Sequence, residues 1–346
     1  MEYKETLTKL LDRESLTMAE AALVVESIIA GECTPAQIAG LLVALRMKGE
    51  AAEEVAGFVQ SLRRHVVSMP GVPEDTFDTC GTGGDGMSTF NISTATALVI
   101  AACGVKVAKH GNRSVSSSCG SADVLEALGV NINLTPEQAG RCLHEVGIVF
   151  LFAPLYHPAF AHVGPVRKEL GVRTLFNVLG PLVNPAFPPR QIVGVSDAAM
   201  LPVIAESLRL LDSAHALVVR STDGYDELTT TAVVEAYEVH PHTKIFGVGV
   251  KRYEIDPRHY GFARATHDDL KGGTAQENAA IIRSVLFGEE GPRLDTVLFN
   301  SGAALYTAGR TKDIAGGIAL ARAAVESGKA IQLFGRFMTV TQSMRK

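Results

Sequence analysis

The chain has 346 residues, 47% hydrophobic and 20% charged, with a formal net charge of -5 spread over interspersed acids and bases. That length can bury a large core and divide into two domains, while the charge offers no basic field to gather nucleic acid or an anionic membrane. The five cysteines, Cys33, Cys80, Cys103, Cys119 and Cys142, form no CxxC pair and no zinc-spaced cluster, which points to a reduced, cytoplasmic compartment.

The N-terminal MEYKETLTKLLDR has no apolar signal core, and no run approaches the ~20 apolar residues of a membrane span. Neither export nor membrane insertion is expected. Helical periodicity fills residues 1–68, with segments near 3–13, 18–30, 36–47 and 51–66. Thr34 before Pro35 reads as an N-cap and first-turn pair, since proline fits where the amide has no helical partner. MPGVPED at 69–75 breaks the pattern. Beyond it, glycine-rich loops join short apolar strands, VKVA (105–108), IVFLF (148–152), QIVGV (191–195) and ALVV (216–219), so an α/β domain with a central mixed sheet flanked by helices is expected. Residues 157–185 turn helical and proline-punctuated again. The predicted division is a helical domain over 1–68, to which roughly 160–187 returns, and an α/β domain over 76–159 and 188–346. Helices are predicted around 275–287, 292–308 and 313–327.

Three loops of the α/β domain have the chemistry of a polyanion and metal site. The first, DTCGTGGDGMSTFNISTAT at 78–96, has glycines that let backbone amides approach a phosphate, and an apolar helix after Ser93 whose positive end would face it. Gly81, Gly83 and Gly86 also match GxGxxG, but PGVPEDTFDTC is too polar and proline-broken for the buried first strand of a dinucleotide fold. Lys106 and Lys109 stand where the ribose-binding acid should be. The second, KHGNRSVSSSCGSAD at 109–123, concentrates Lys109, His110, Asn112, Arg113 and serines 114 and 116–118 as donors for phosphate oxygens; a solvated basic turn is its plain alternative. In the third, STDGYDELTTT at 221–231, Asp226 and Glu227 offer hard oxygen ligands suited to Mg2+, although adjacent acids are common on surfaces. Arg167 can pair bidentately with a substrate carboxylate or form an interdomain salt bridge, and His157 before Pro158 reads as structural.

Several ordered blocks together resemble the anthranilate phosphoribosyltransferase family over essentially the full length. They are GTGGD (81–85) with NISTATA (91–97), KHGNRSVSS with GSADVLEALG (109–129), PVRKELGVRTLFNVLGPLVNP (165–185), DEL (226–228), GGTAQENAAIIRSVL (272–286) and NSGAALYTAG (300–309). The resemblance implies a homodimer of two-domain chains related in fold to pyrimidine nucleoside phosphorylases, with the active site between the domains. It implies that phosphoribosyl pyrophosphate (PRPP) is surrounded by Gly81, Gly84, Asp85, Thr89, Asn91, Ile92, Ser93, Thr94, Lys109, His110, Gly111, Asn112, Arg113, Ser114, Val115, Ser116, Ser117 and Ser121. Anthranilate would contact Gly81, Asn112 and Arg167, and Mg2+, as two ions, would be held by Ser93, Asp226 and Glu227. Tyr225 departs from the smaller aliphatic residue of the family pattern, and the tail FGRFMTVTQSMRK is unfamiliar beside the blocks that carry the resemblance.

The implied reaction is attack of the aromatic amine on C1 of the ribose as pyrophosphate leaves, in the second step from chorismate to tryptophan. Lys109 and Arg113 would stabilise the leaving group electrostatically. A neutral aniline nitrogen needs no prior deprotonation, so the lack of a nucleophile and base pair is no objection. An anthranilate synthase is a conceivable partner; nucleic acid and membrane are not expected. The alternatives are a pyrimidine nucleoside phosphorylase, against which RTLFNVLGPLVNP argues, and a non-catalytic nucleic-acid-binding relative, against which the acidic net charge argues.

Overall fold

The structure is a computed structural model that describes residues 3–114, 118–240 and 249–345. Four helices open the chain: α1 (Tyr3–Leu11), α2 (Met18–Ile29), α3 (Pro35–Lys48) and α4 (Ala52–Arg64). Thr34 caps α3 as its sequence position suggests. Its hydroxyl accepts from the Gln37 amide (3.3 Å), and the Gln37 side chain accepts from the Thr34 amide (2.8 Å), which satisfies two end amides reciprocally. Thr17 and Glu20 do the same for α2. At Gly57 the helices α2 and α4 touch so closely that a Cβ would lie 2.3 Å from the Met18 carbonyl oxygen.

The α/β part continues with β1 (Phe77–Asp78), α5 (Ile92–Ala102), β2 (Val107–Gly111), α6 (Ser121–Ala127), α7 (Pro136–Val146), β3 (Ile148–Phe152), α8 (Ala153–Tyr156) and α9 (Gly164–Leu170). It ends with β4 (Arg190–Gly194), α10 (Met200–Leu210), β5 (His215–Ser221), β6 (Val234–Val239), β7 (Val250–Ile255), α11 (His267–Leu270), α12 (Ala275–Leu286), α13 (Pro292–Thr307), α14 (Ile314–Glu326) and α15 (Lys329–Ser343). Among the described residues the strands form one mixed sheet of order β3-β2-β1-β4-β5-β6-β7, parallel from β3 to β5 and antiparallel from β5 to β7.

Strand periodicity divides the core between the two faces of this sheet. On β5, Leu217 and Val219 pack with α5 and α13, whereas Ala216 and Val218 pack with α10 in a buried cluster that runs on into α2, α3 and α4. Val163, Val166, Leu175, Phe176 and Leu179 from the proline-punctuated segment join that second cluster.

Three expectations need correction. PGVPEDTFDTC does contain a buried strand: β1 pairs over only two residues, too few to show alternation, yet it lies between β2 and β4. Lys109, His110 and Gly111 belong to β2 and not to the loop after it, because the β2–β3 ladder runs from Val107 to Gly111. Helix α5 begins at Ile92, so Ser93 lies inside its first turn. The unfamiliar tail forms α15, whose buried Ala330, Phe334 and Phe337 join the main core.

Candidate active site

The chain leaves β1 toward β2 on one side, while β4 enters on the other, so β1 and β4 flank a topological switch point. Ligand crevices in parallel sheets open at the carboxyl ends of strands at such a point. The ends of β1, β2, β4 and β5 meet there, and those of β1, β2 and β5 run into the three loops singled out above.

The glycine loop is held from three directions. Gly83, Gly84 and Gly86 adopt φ of 67°, 76° and 75°, a region that side chains with a Cβ enter at a cost. The Gly83 amide donates to Asp226 Oδ2 (2.7 Å), and the Thr82 amide donates to the Gly194 carbonyl (2.8 Å). Arg173 reaches across from the proline-rich segment and donates to the carbonyls of Gly84 (2.5 Å) and Gly83 (3.3 Å) and to Ser196 Oγ (3.0 Å). Gly194 is equally constrained, since a Cβ there would lie 1.6 Å from the Asp226 carbonyl oxygen.

Asp226 and Glu227 face this loop and the start of α5. Glu227 Oε1 accepts the Ser93 amide (3.2 Å), so the positive end of α5 points at a carboxylate. Burial pushes Asp226 up to about 7, with the charge of Asp85 adding to it. Burial and then Asp226 push Glu227 well above the usual range, while Lys109 opposes the shift. Asp85 Oδ1 accepts from the Met87 amide (3.0 Å), and its buried Oδ2 has no partner among the described residues. Three acids facing one crevice with so little compensation form a site that a hard divalent cation would relieve, and the Ser93 hydroxyl is a further oxygen donor beside them. The donor set fits Mg2+.

Lys109 enters from β2 with its side chain buried, donating to Ser93 Oγ (3.2 Å) and Thr79 Oγ1 (3.3 Å). Beneath it, Asp78 accepts from the Thr79 and His110 amides and from Asn184 Nδ2 (2.7 Å). Burial raises Asp78 to about 6, against the pull of Lys109. His110 Nδ1 lies 3.0 Å from the Gly180 carbonyl, and its Nε2 lies 3.0 Å from His157 Nε2. A carbonyl only accepts, so Nδ1 of His110 carries the proton and its Nε2 accepts from His157. Burial, with His157 facing it, lowers His110 to about 3, and burial lowers His157 to about 4. The neutral pair joins β2 to the segment after α8, in keeping with the structural reading of His157.

Other residues named from sequence fall around the same crevice. Asn91 precedes α5, donating to the Cys119 carbonyl (3.1 Å) and accepting from Asn278 (2.9 Å). Thr94 is buried with its hydroxyl unpaired among the described residues, and Thr89 bridges to Lys271. Asn112 accepts at its carbonyl from Ser121 Oγ (3.3 Å), and Gly111 leaves room for Ser121, since a Cβ there would lie 2.2 Å from that hydroxyl. Arg113 turns toward α6, where its Nη1 meets Asp123 Oδ1 (2.9 Å) and Glu126 Oε2 (2.6 Å). The Ser114 amide donates to Asp123 Oδ2 (3.0 Å). Val115, Ser116 and Ser117 lie outside the described residues. Arg167 is half-buried on α9 above the Phe176 ring (5.9 Å), and its guanidinium makes no ion pair or hydrogen bond among the described residues, so the interdomain salt bridge does not form. Tyr225 is buried, with its hydroxyl 2.5 Å from His267 Nδ1, and burial pushes it up to about 12.

Sequence reasoning gave no role to Asp78, Thr79, Arg173, Asn184 or Ser196. Arg173 and Asn184 lie within the quoted block PVRKELGVRTLFNVLGPLVNP, and Asp78 and Thr79 open the first of the three loops; Ser196 carries no local signal, and the sheet order brings it to the crevice.

A helical bundle that precedes an α/β domain with such a crevice is the architecture of one glycosyl transferase family. Its helical bundle domain matches residues 4–66 and its a/b domain matches residues 73–331. Anthranilate phosphoribosyltransferase of Thermomicrobium roseum is 48% identical over 98% of this chain and 97% of that protein. The enzyme of the same name from Chloroflexus aurantiacus is 46% identical over 99% of both. Among solved structures, the anthranilate phosphoribosyltransferase of Thermus thermophilus superposes with a TM-score of 0.90 at 42% identity, covering 97% of this chain and 99% of that one. The Saccharomyces cerevisiae enzyme in complex with PRPP and Mg superposes with a TM-score of 0.87 at 26% identity, covering 99% of this chain and 98% of that one. The chain therefore belongs to this glycosyl transferase family, and within it to the anthranilate phosphoribosyltransferases.

Proposed function

We propose that the chain transfers the phosphoribosyl group of PRPP to the amino nitrogen of anthranilate, giving N-(5-phosphoribosyl)anthranilate and pyrophosphate, the second step from chorismate to tryptophan. The observation that carries this reading is the meeting, at one switch point, of the glycine loop, Lys109 and the acids Asp226 and Glu227, raised by burial and mutual repulsion, within a chain of this family. The complexes of the yeast relative with PRPP and Mg and with 4-fluoroanthranilate support the same substrates and metal here.

In this reading the backbone from Gly81 to Asp85, Thr89, the first turn of α5 and the segment from Lys109 to Ser121 enclose PRPP. Ser93, Asp226 and Glu227 would hold two Mg2+ ions, which would supply positive charge to the pyrophosphate. Lys109 already lies beside Ser93 and supplies fixed positive charge to the leaving group. Arg113 exchanges Asp123 and Glu126 for phosphate oxygens when PRPP arrives. Arg167, without an acidic partner among the described residues, takes the anthranilate carboxylate, with Gly81 and Asn112 lining the ring. Orientation of the amine toward C1 then supplies much of the remaining acceleration.

We further infer that residues 160–187 belong mechanically to the helical domain, a division supported by the edge-on contact of Phe176 with Phe58 of α4 and by the hydrogen bond that Arg63 of α4 donates to the Leu182 carbonyl (2.9 Å). We also infer a homodimer, on the resemblance of the chain to the family. Among the described residues no helix is long and apolar enough to cross a membrane, and the enzyme is assigned to the cytoplasm, with an anthranilate synthase as the partner supplying its substrate.

The test follows anthranilate fluorescence in purified protein with PRPP and Mg2+. Loss that requires every component and yields phosphoribosyl anthranilate is the expected result. No loss with folded protein across a range of metal and substrate concentrations rejects the assignment.

A further inference from the structure

At the far end of the sheet from this crevice, three side chains converge that the reaction does not use. Register fixes them: Ala216 pairs with Val239 and Leu217 with Glu238 across the β5–β6 ladder, so one step further His215 stands opposite His240. Strand alternation turns His215, Glu238 and His240 to one face, the face covered by α13. The two imidazoles stack with centroids 4.4 Å apart and interplanar angle 24°. Both direct Nε2 at a single atom, Glu238 Oε1, at 2.8 Å from His215 and 3.2 Å from His240. The Tyr306 hydroxyl of α13 donates to that same oxygen (2.7 Å).

We propose that His215, Glu238 and His240 form a binding site for a divalent transition-metal ion of the zinc class. The three ligand atoms lie within 4.8 Å of one another. Donors around a tetrahedral Zn2+ at ~2.0–2.1 Å are separated by about 3.3 Å, close to the 2.8 and 3.2 Å between Glu238 Oε1 and the two imidazole nitrogens, so side-chain rotation opens the cluster around an ion. Two imidazole nitrogens and one carboxylate oxygen select zinc, cobalt or nickel over magnesium, which takes oxygen ligands and keeps its water. Binding requires both imidazoles to carry their proton on Nδ1 and present the Nε2 lone pair. Tyr306 then acts as an outer-shell residue that holds the Glu238 carboxylate in place. His215 and Glu238 are buried, while the His240 side chain is 47% exposed, so ions enter from the His240 side and a water completes the coordination.

The ion works as a clamp. It ties the start of β5 to the end of β6, with α13 held through Tyr306. Six residue steps of β5 separate this cluster from Ser221, about 20 Å at strand rise, too far for the ion to touch substrate bound at the carboxyl ends. The site is therefore independent of the proposed reaction.

The test uses untagged full-length protein, freed of metal by a chelator and held in excess Mg2+. Titration with Co2+ is followed by visible d–d absorption, and Zn2+ is followed by thermal melting. A single saturating equivalent of Co2+ is expected, without the thiolate charge-transfer band that cysteine ligation would give, together with a Zn2+-dependent rise in Tm. His240→Ala, at a half-exposed position, should weaken Co2+ binding by about tenfold or more and leave turnover of PRPP and anthranilate unchanged. Tyr306→Phe should weaken it less. The proposal is overturned by no Co2+ band, by equal binding in His240→Ala, or by a band that vanishes in Asp226→Ala/Glu227→Ala and persists in His240→Ala.

Discussion

Two regions of the molecule place carboxylates against protein, with opposite outcomes. In the helical domain, buried Glu54 meets Lys48 Nζ (2.9 Å) and accepts the amides of Leu16 (3.0 Å) and Ala51 (2.8 Å). Its lone pairs are spoken for by partners from three stretches of chain, and the group serves to fix the α3–α4 corner. At the crevice, Asp226 and Glu227 each accept one backbone amide and otherwise face each other and Asp85. Both residues keep part of their surface open to the crevice while the surrounding protein desolvates them. A carboxylate that the fold fully pairs is architecture. A set of carboxylates that the fold gathers with only the nearby Lys109 to oppose their burial and mutual repulsion is a place for a cation from outside.

The largest effect that tests this contrast is catalytic. Asp226→Ala with Glu227→Ala should lower kcat/KM by about a thousandfold, the scale of losing a main electrostatic stabiliser, while the metal-free melting temperature holds or rises because repelling acids are gone. An unchanged Mg2+ dependence in the fluorescence assay would remove them as ligands. The converse change is Lys48→Met, which leaves Glu54 buried without its cation and should cost about 3–5 kcal/mol of stability. Chemical denaturation would measure that loss, and activity per folded molecule should stay at the parental level. If instead Lys48→Met cut turnover and spared stability, the division between architecture and site would fail.

The sequence made the helical domain plain because it rests on local signals: helical periodicity and the Thr34–Pro35 start, realised to within two residues at each end of α1 to α4. The glycine loop and the Asp226–Glu227 pair were legible for a similar reason, since their chemistry lies in consecutive residues. Strand β1 was not, because two paired residues in a proline-flanked stretch carry no period, and its central position comes from the chain passing to β2 on one side and β4 on the other. Asp78, Asn184 and Arg173 received no role because their partners are distant in sequence; Asn184 reaches Asp78 and Arg173 reaches Gly84 only after the sheet has closed around them. The His215–Glu238–His240 cluster was hidden likewise, since no metal-ligand spacing spans an antiparallel pair joined by a long connection.

A middle-sized effect sharpens the comparison with a cation in place of an acid. Arg167 is half-buried, held below its ordinary pKa by burial, and without an acidic partner among the described residues, the mirror image of Asp226 and Glu227. Arg167→Ala should raise the KM for anthranilate about ten- to a hundredfold, the worth of a charge-assisted pair, and move the KM for PRPP far less. A rise confined to PRPP would assign Arg167 to the other substrate.

The smallest effect is a dependence of stability on pH. The folded value of Asp226 lies near 7, against 3.8 for the free side chain. Between those values the folded chain binds a proton that the unfolded chain has released, so in metal-free protein the stabilising contribution is full below the lower value and is lost as pH rises through the upper one. Tm measured without metal should therefore fall across that window beyond the trend of Asp226→Asn, which cannot ionise there. A bound cation favours the charged carboxylate and lowers its folded pKa, so Mg2+ with PRPP should flatten the slope in the parent and leave the variant's profile nearly unchanged. Equal slopes in parent and variant, with and without ligand, would mean that Asp226 is already compensated inside the fold, as Glu54 is, and would erase the distinction on which the metal assignment rests.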